Sequence, residues 1–175
     1  MIILFDGDIH VHYGFLSLEP FGSDSPDLFE ARGGQVNGLC GAAVPGALLM
    51  VTGTHTGNVP VSIELHDAPP PVDDQWEDVV EVSLQVTAED YSLCAFDWAE
   101  QLDGLPHGPH RARWCAKGMD EAHDRTRTDG EPEIDRYLLQ LWRAPASPDT
   151  VVRQTSEGAA YWHGEAAATE APVQP

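Results

Sequence analysis

Between Glu77 and Gly118 apolar and polar residues alternate at period two, and this limits the folds open to the chain more than any other feature. Val80, Val82, Leu84 and Val86 alternate with Glu81, Ser83 and Gln85, and Tyr91 to Trp98 is apolar and aromatic. A Leu-Pro-His-Gly turn at Leu105 to Gly108 leads into a second alternating run from His110 to Cys115. Successive side chains of a strand point to opposite faces, so such runs read as strands with one buried face. The same pattern recurs in Val59, Val61, Ile63 and Leu65, where Pro60 sets the strand start at an edge or at its first residue. Ile9 to Leu18 alternates until the phase slips at Phe15-Leu16, which predicts a bulge near Gly14. Ala47 to Thr54 and Tyr137 to Trp142 read as further strands, and Val151 to Thr155 as a weaker one.

Helix signals are sparse. Ser25-Pro26-Asp27 looks like an N-cap with proline at the first helical position, opening a short helix that Gly33-Gly34 ends. Met119 to Glu133 is charged and without periodicity, as a long loop would be. Fourteen prolines and sixteen glycines favour many turns over long helices. The prediction is an all-β fold, an antiparallel β-sandwich of about seven to nine short strands with little helix. It would form a single domain over residues 1–163, followed by a flexible acidic C-terminal tail over 164–175.

Charge narrows the function classes. The formal net charge is −20, from 29 acidic and 9 basic side chains in 175 residues. Residues 1–110 hold 18 of the acids and a single basic residue, Arg32, whereas residues 111–175 are nearly balanced. Phosphates would be repelled, so neither nucleic acid nor an anionic membrane is an expected partner; a basic protein such as a nuclease is. The most concentrated acid lies at Asp73, Asp74, Glu77 and Asp78 around Trp76, with Asp97 and Glu100 further on. An aromatic framed by carboxylates suits a basic partner surface; the alternative is a tryptophan packed over the end of the fold. The N-terminal apolar run is too short for a signal sequence, and no window reaches the length of a membrane span. A cytoplasmic location is expected. Cys40, Cys94 and Cys115 have neither zinc nor redox spacing and read as buried free thiols.

Asp8-Ile9-His10-Val11-His12 offers a metal reading, because two histidines at i and i+2 share one strand face. His10 and His12 with Asp6 or Asp8 would then hold a divalent metal in a metal-dependent enzyme or metal-binding protein. Such His-x-His spacing resembles the first strand of the amidohydrolase metal enzymes, but their barrel is far longer than this chain. Ordinary surface histidines on the polar face of a strand account for the motif more simply. His107, His110 and His123 form a second loose histidine set. No nucleophile elbow, phosphate-binding glycine loop or His-Glu-x-x-His is present, so no reaction is named and no catalytic residue is assigned. A small-ligand-binding sandwich, with an apolar pocket on one sheet face, is a third reading.

The succession of an Ile-His-Val-His-Tyr strand, a Gly/Ala-rich strand, a Val-rich strand ending in Thr87 and a Leu-Pro-x-Gly turn before another alternating strand resembles the small acidic competence-associated nuclease inhibitors of the ComJ type. The likeness runs from about Ile9 to Leu141. It implies an intracellular bacterial protein that binds a nuclease and blocks it.

Overall fold

The computed structural model describes residues 1–123, 125–128 and 130–171. In chain order the elements are β1 (Ile2–His12), β2 (Phe15–Pro20), α1 (Leu28–Arg32), β3 (Cys40–Gly41), β4 (Leu48–Val51), β5 (Thr56–His66), β6 (Asp78–Val86) and β7 (Tyr91–Ala95). They continue with β8 (Trp98–Leu102), β9 (Gly108–Lys117), α2 (Met119–Ala122), β10 (Arg136–Arg143), β11 (Thr150–Arg153) and α3 (Glu157–Ala168).

The β-rich prediction holds, but the sandwich does not. The strands form one mixed sheet in the order β11-β6-β9-β10-β5-β1-β2-β4-β3, with the β7–β8 hairpin added at β2. β10 lies between β9, to which it is antiparallel, and β5, to which it is parallel, with Tyr137 opposite Val61 and Leu141 opposite Leu65. That parallel pair joins the first strands to the later ones by hydrogen bonds, where a sandwich would have left them as two stacked sheets. The sheet instead curls into a half-barrel and packs on itself.

Period two decides which residues fill the curl. Ile9 and Val11 of β1, Val59, Val61 and Ile63 of β5, Leu139 and Leu141 of β10, Trp114 of β9 and Val80, Val82 and Leu84 of β6 are all buried in one core. Trp114 and Tyr137 stack there, with centroids 5.1 Å apart and planes 5° from parallel. The core is filled by its own side chains.

Three other expectations change. The phase slip near Gly14 marks a reversal, not a bulge: Tyr13 and Gly14 both have positive φ (62° and 72°), with His12 opposite Phe15, as in a two-residue type I′ hairpin turn. The N-cap of α1 is Asp27, whose Oδ1 accepts from the N–H groups of Phe29 and Glu30 at 2.9 and 3.2 Å. The expected tail begins too early, because Gly164 to Ala168 are the last residues of α3; residues 172–175 lie outside the described residues. α3 is seated closely: Gly38 lies against the Trp162 carbonyl where a Cβ has no room, and its N–H donates to His163 Nδ1 at 3.0 Å.

Candidate partner-binding surface

The acidic residues that crowd together in sequence separate into different roles once β6 is in place. Asp73 and Asp74 are exposed on the connector before β6. Asp73 accepts from the Gln75 backbone N–H and side-chain amide, and Asp74 pairs with Arg153 of β11 at 2.8 Å. Glu77 is half-buried, and its Oε2 accepts from the Gly118 N–H. Trp76 is only 8% exposed and packs with Val79 and Cys115; the Arg136 guanidinium lies 5.5 Å from its ring centroid. Asp78 is fully buried, and its Oδ1 accepts from the N–H groups of Thr155 and Ser156, fixing the chain just before α3. The solvent-facing acid here is therefore Asp73 and Asp74, with Glu77 beside them.

Asp97 and Glu100 are exposed on the β7–β8 hairpin, which β9, β10, β5, β1 and β2 separate from β6 along the sheet. Glu100 borders a polar hollow with Asp6, Asp8 and Trp98. The structure thus brings Glu100 to the aspartates of β1 and leaves the Asp73–Asp74 pair in a second acidic area.

A polar seam on the outer face of β6, β9, β10 and β5 explains why charge does not accumulate across the whole surface. Glu81 pairs with Arg113 at 2.9 Å and with Arg111 at 3.4 Å, both arginines being buried. Arg113 also donates to Gln140 Oε1, and Gln140 Nε2 to Glu64, which contacts His66 at 2.8 Å. The carbonyls of Pro70, Ser147 and Pro148 cap the two guanidinium groups. A buried guanidinium needs this many acceptors, because each unpaired donor would carry its desolvation cost.

His10 and His12 share the outer face of β1, as their spacing requires. His10 Nδ1 lies 3.0 Å from Asn58 Oδ1. His12 packs in a ring cluster, 4.3 Å from Tyr13, 4.9 Å from Phe96 and 6.0 Å from His55 between centroids. Among the described residues no three His, Cys, Asp or Glu side chains come close enough to hold a metal ion. His110 is buried with Nδ1 3.0 Å from the Gly108 carbonyl, and burial lowers its pKa below the usual imidazole range. Cys40 and Cys115 are buried free thiols, as expected; burial raises both, Cys115 to about 12.

Sequence reasoning missed three features. The first is the aromatic cluster of Tyr13, Phe96, His12 and His55; its signal was the bulky Tyr13 at a hairpin tip that favours Asn, Asp or Gly. Tyr13 and Phe96 are 57% and 72% exposed. The second is Glu19, which is 3% exposed near the end of β2. Ser17 and Ser25 donate to its two oxygens at 2.6 and 3.0 Å. The Cys94 thiol is also hydrogen-bonded to it, and burial, reinforced by the Glu19 charge, raises Cys94 to about 11. The third is Asp135, fully buried, which accepts from Thr54 N–H, Thr54 Oγ1 and Tyr137 Oη at 2.6 to 2.9 Å.

Two solved structures share this fold. ComJ from Bacillus subtilis, an inhibitor of the DNA-degrading activity of NucA, matches with a TM-score of 0.57 and 15% identity, covering 82% of this chain and 98% of its own. The product of crocagin biosynthetic gene J matches with a TM-score of 0.55 and 12% identity, covering 83% and 100%. No family model matches the chain, and no curated protein matches it. Among the described residues no helix is long and apolar enough to cross a membrane.

Proposed function

We propose that the protein binds a basic partner protein, such as a nuclease, and blocks the surface that partner uses for its substrate. The observation that carries this reading is the fold shared with ComJ over nearly all of that inhibitor's length, on a chain of net charge −20. Asp73, Asp74 and Glu77 form one acidic contact area, and Asp97 and Glu100, with Asp6 and Asp8, form the other. Trp76 and Asp78 serve the first area from within, Trp76 by supporting the connector and Asp78 by holding α3. Carboxylates would occupy positions where substrate phosphates lie, and long-range attraction would accelerate encounter. The protein acts by occlusion, without a bound metal or a reaction of its own, and inside the cell.

The test is DNA degradation by NucA with increasing amounts of the purified chain. Stoichiometric inhibition that weakens as salt rises is expected, since salt screens exposed charges. Undiminished DNA degradation at a large excess of the chain, at low salt, overturns the reading.

A further inference from the structure

A cleft between the β1–β2 turn and the β7–β8 turn is lined by His12, Tyr13, Phe15, Ser17, Ser25 and Phe96, with Cys94 and apolar side chains completing its walls. Its volume is about 290 Å³, at the lower limit of small-molecule sites and ample for one long side chain. We infer that this cleft receives an ammonium or guanidinium group, supplied by a lysine or arginine of the basic partner. The inference rests on the proposed function for the source of the cation, though not for the chemistry of the cleft.

Three observations combine. Ser17, Ser25 and Cys94, all lining the cleft, are the residues that hydrogen-bond to Glu19, so a buried carboxylate lies directly behind its wall. Among the described residues no lysine, arginine or histidine pairs with Glu19, whose side-chain partners are the two serines and the Cys94 thiol. Each serine hydroxyl has one proton, and both protons are committed to Glu19; toward the cleft these oxygens can only accept. Two hydroxyl oxygens that can only accept, backed by the Glu19 carboxylate in a cleft otherwise walled by apolar and aromatic side chains, favour a group that is positive and carries only donors.

The rim fits the same occupant. Tyr13, Phe96 and His12 present ring faces and edges within 4.3 to 5.9 Å of one another, and a cation over a phenyl or phenol face is attracted by the ring quadrupole. Tyr13 reaches the rim because it holds a φ of 62°, a conformation costly for a bulky residue. The turn is fixed by the Gly14 N–H donating to the His55 carbonyl and the Thr52 N–H donating to the Gly14 carbonyl, both at 2.9 Å. The neighbouring Asp97 is exposed and adds to the attraction.

The experiment is an NMR titration of the isotope-labelled chain in about 0.15 M salt, which screens non-specific attraction. The probes are methylguanidinium, its uncharged isostere N-methylurea, capped Gly-Arg-Gly and Gly-Lys-Gly peptides, and the free diamine putrescine. Saturable shifts at the amides of Ser17, Ser25, Ala95 and Phe96 are expected with methylguanidinium and the peptides, and none with methylurea. Phe96→Ala, at an exposed turn, should weaken binding on the order of three-fold. Glu19→Gln should abolish it; if that variant does not fold, the isostere and Phe96→Ala decide. Equal shifts with methylurea, shifts spread over the acidic surface, or unchanged binding in Phe96→Ala overturn the cleft. Putrescine binding far more tightly than the peptides overturns the partner side chain as its source. Failure to inhibit NucA would remove the proposed function while leaving the titration result standing.

Discussion

Trp114 Nε1–H donates to the backbone carbonyl of Val51 at 3.2 Å, joining β9 to β4 across the inside of the curl. The two residues are distant both in sequence and along the sheet, so the bond exists only when the half-barrel has closed. Trp114→Phe keeps an aromatic ring beside Tyr137 but removes the donor and part of the ring volume. A loss of about 1–3 kcal/mol is expected, from the lost bond together with the small cavity left behind. Equilibrium urea unfolding measures it.

Asp78 is a latch for α3. Asp78→Ala leaves the N–H groups of Thr155 and Ser156 without their acceptor, at a cost of about 1–3 kcal/mol. Faster hydrogen exchange should appear across α3 and β11 before the rest of the sheet is affected. Asp78→Asn keeps one acceptor oxygen and should lose less.

His163 makes the seat of α3 sensitive to acid. Burial lowers its pKa from the ordinary 6.5, and Nδ1 must be unprotonated to accept from the Gly38 N–H. The unfolded chain therefore takes up this proton more readily than the folded one. The contribution is intact above pH 6.5 and is lost as pH falls through 6.5 toward the folded-state value. In His163→Asn, where Oδ1 stands near the position of Nδ1, urea midpoints should fall less between neutral and mildly acidic pH than in the wild type. Other groups titrate in both proteins, so the difference isolates His163.

Reversing the exposed acid should separate binding from folding. Asp73→Lys/Asp74→Lys removes the Asp74–Arg153 pair, and exposed pairs of this kind contribute little to stability. Unfolding midpoints should stay close to wild type, while inhibition of NucA should need several-fold more protein at low salt. The deficit should shrink as ionic strength rises.

How much of this was legible depended on range. The alternation in β6 and β9 is written in neighbouring residues, and those strands stand where the pattern puts them; β5 instead begins at Thr56, so Pro60 lies within the strand opposite Asp8 and does not mark its start. The pairing of β10 with β5 is not written in neighbouring residues, because Tyr137 meets Val61 only through register across half the chain. α3 was hidden by its composition: Gly158 and Gly164 are poor helix formers. Its buried positions, Ala159 and Ala166, give no strong apolar stripe. For the proposed binding surface, net charge pointed to the acidic residues. It could not tell Asp74, which faces water, from Asp78, which is wholly internal, or reveal that Glu19 would be enclosed by two serines and a cysteine.

The position of β10 also governs how the chain can fold as it is made. Residues 1–117 supply nine of the eleven sheet strands, yet until residues 136–143 leave the ribosome β5 and β9 have no neighbour between them. A nascent chain would hold two partial sheets with facing open edges, the kind of edge that pairs with other chains. The many acidic side chains of that early portion would then keep such intermediates apart by mutual repulsion.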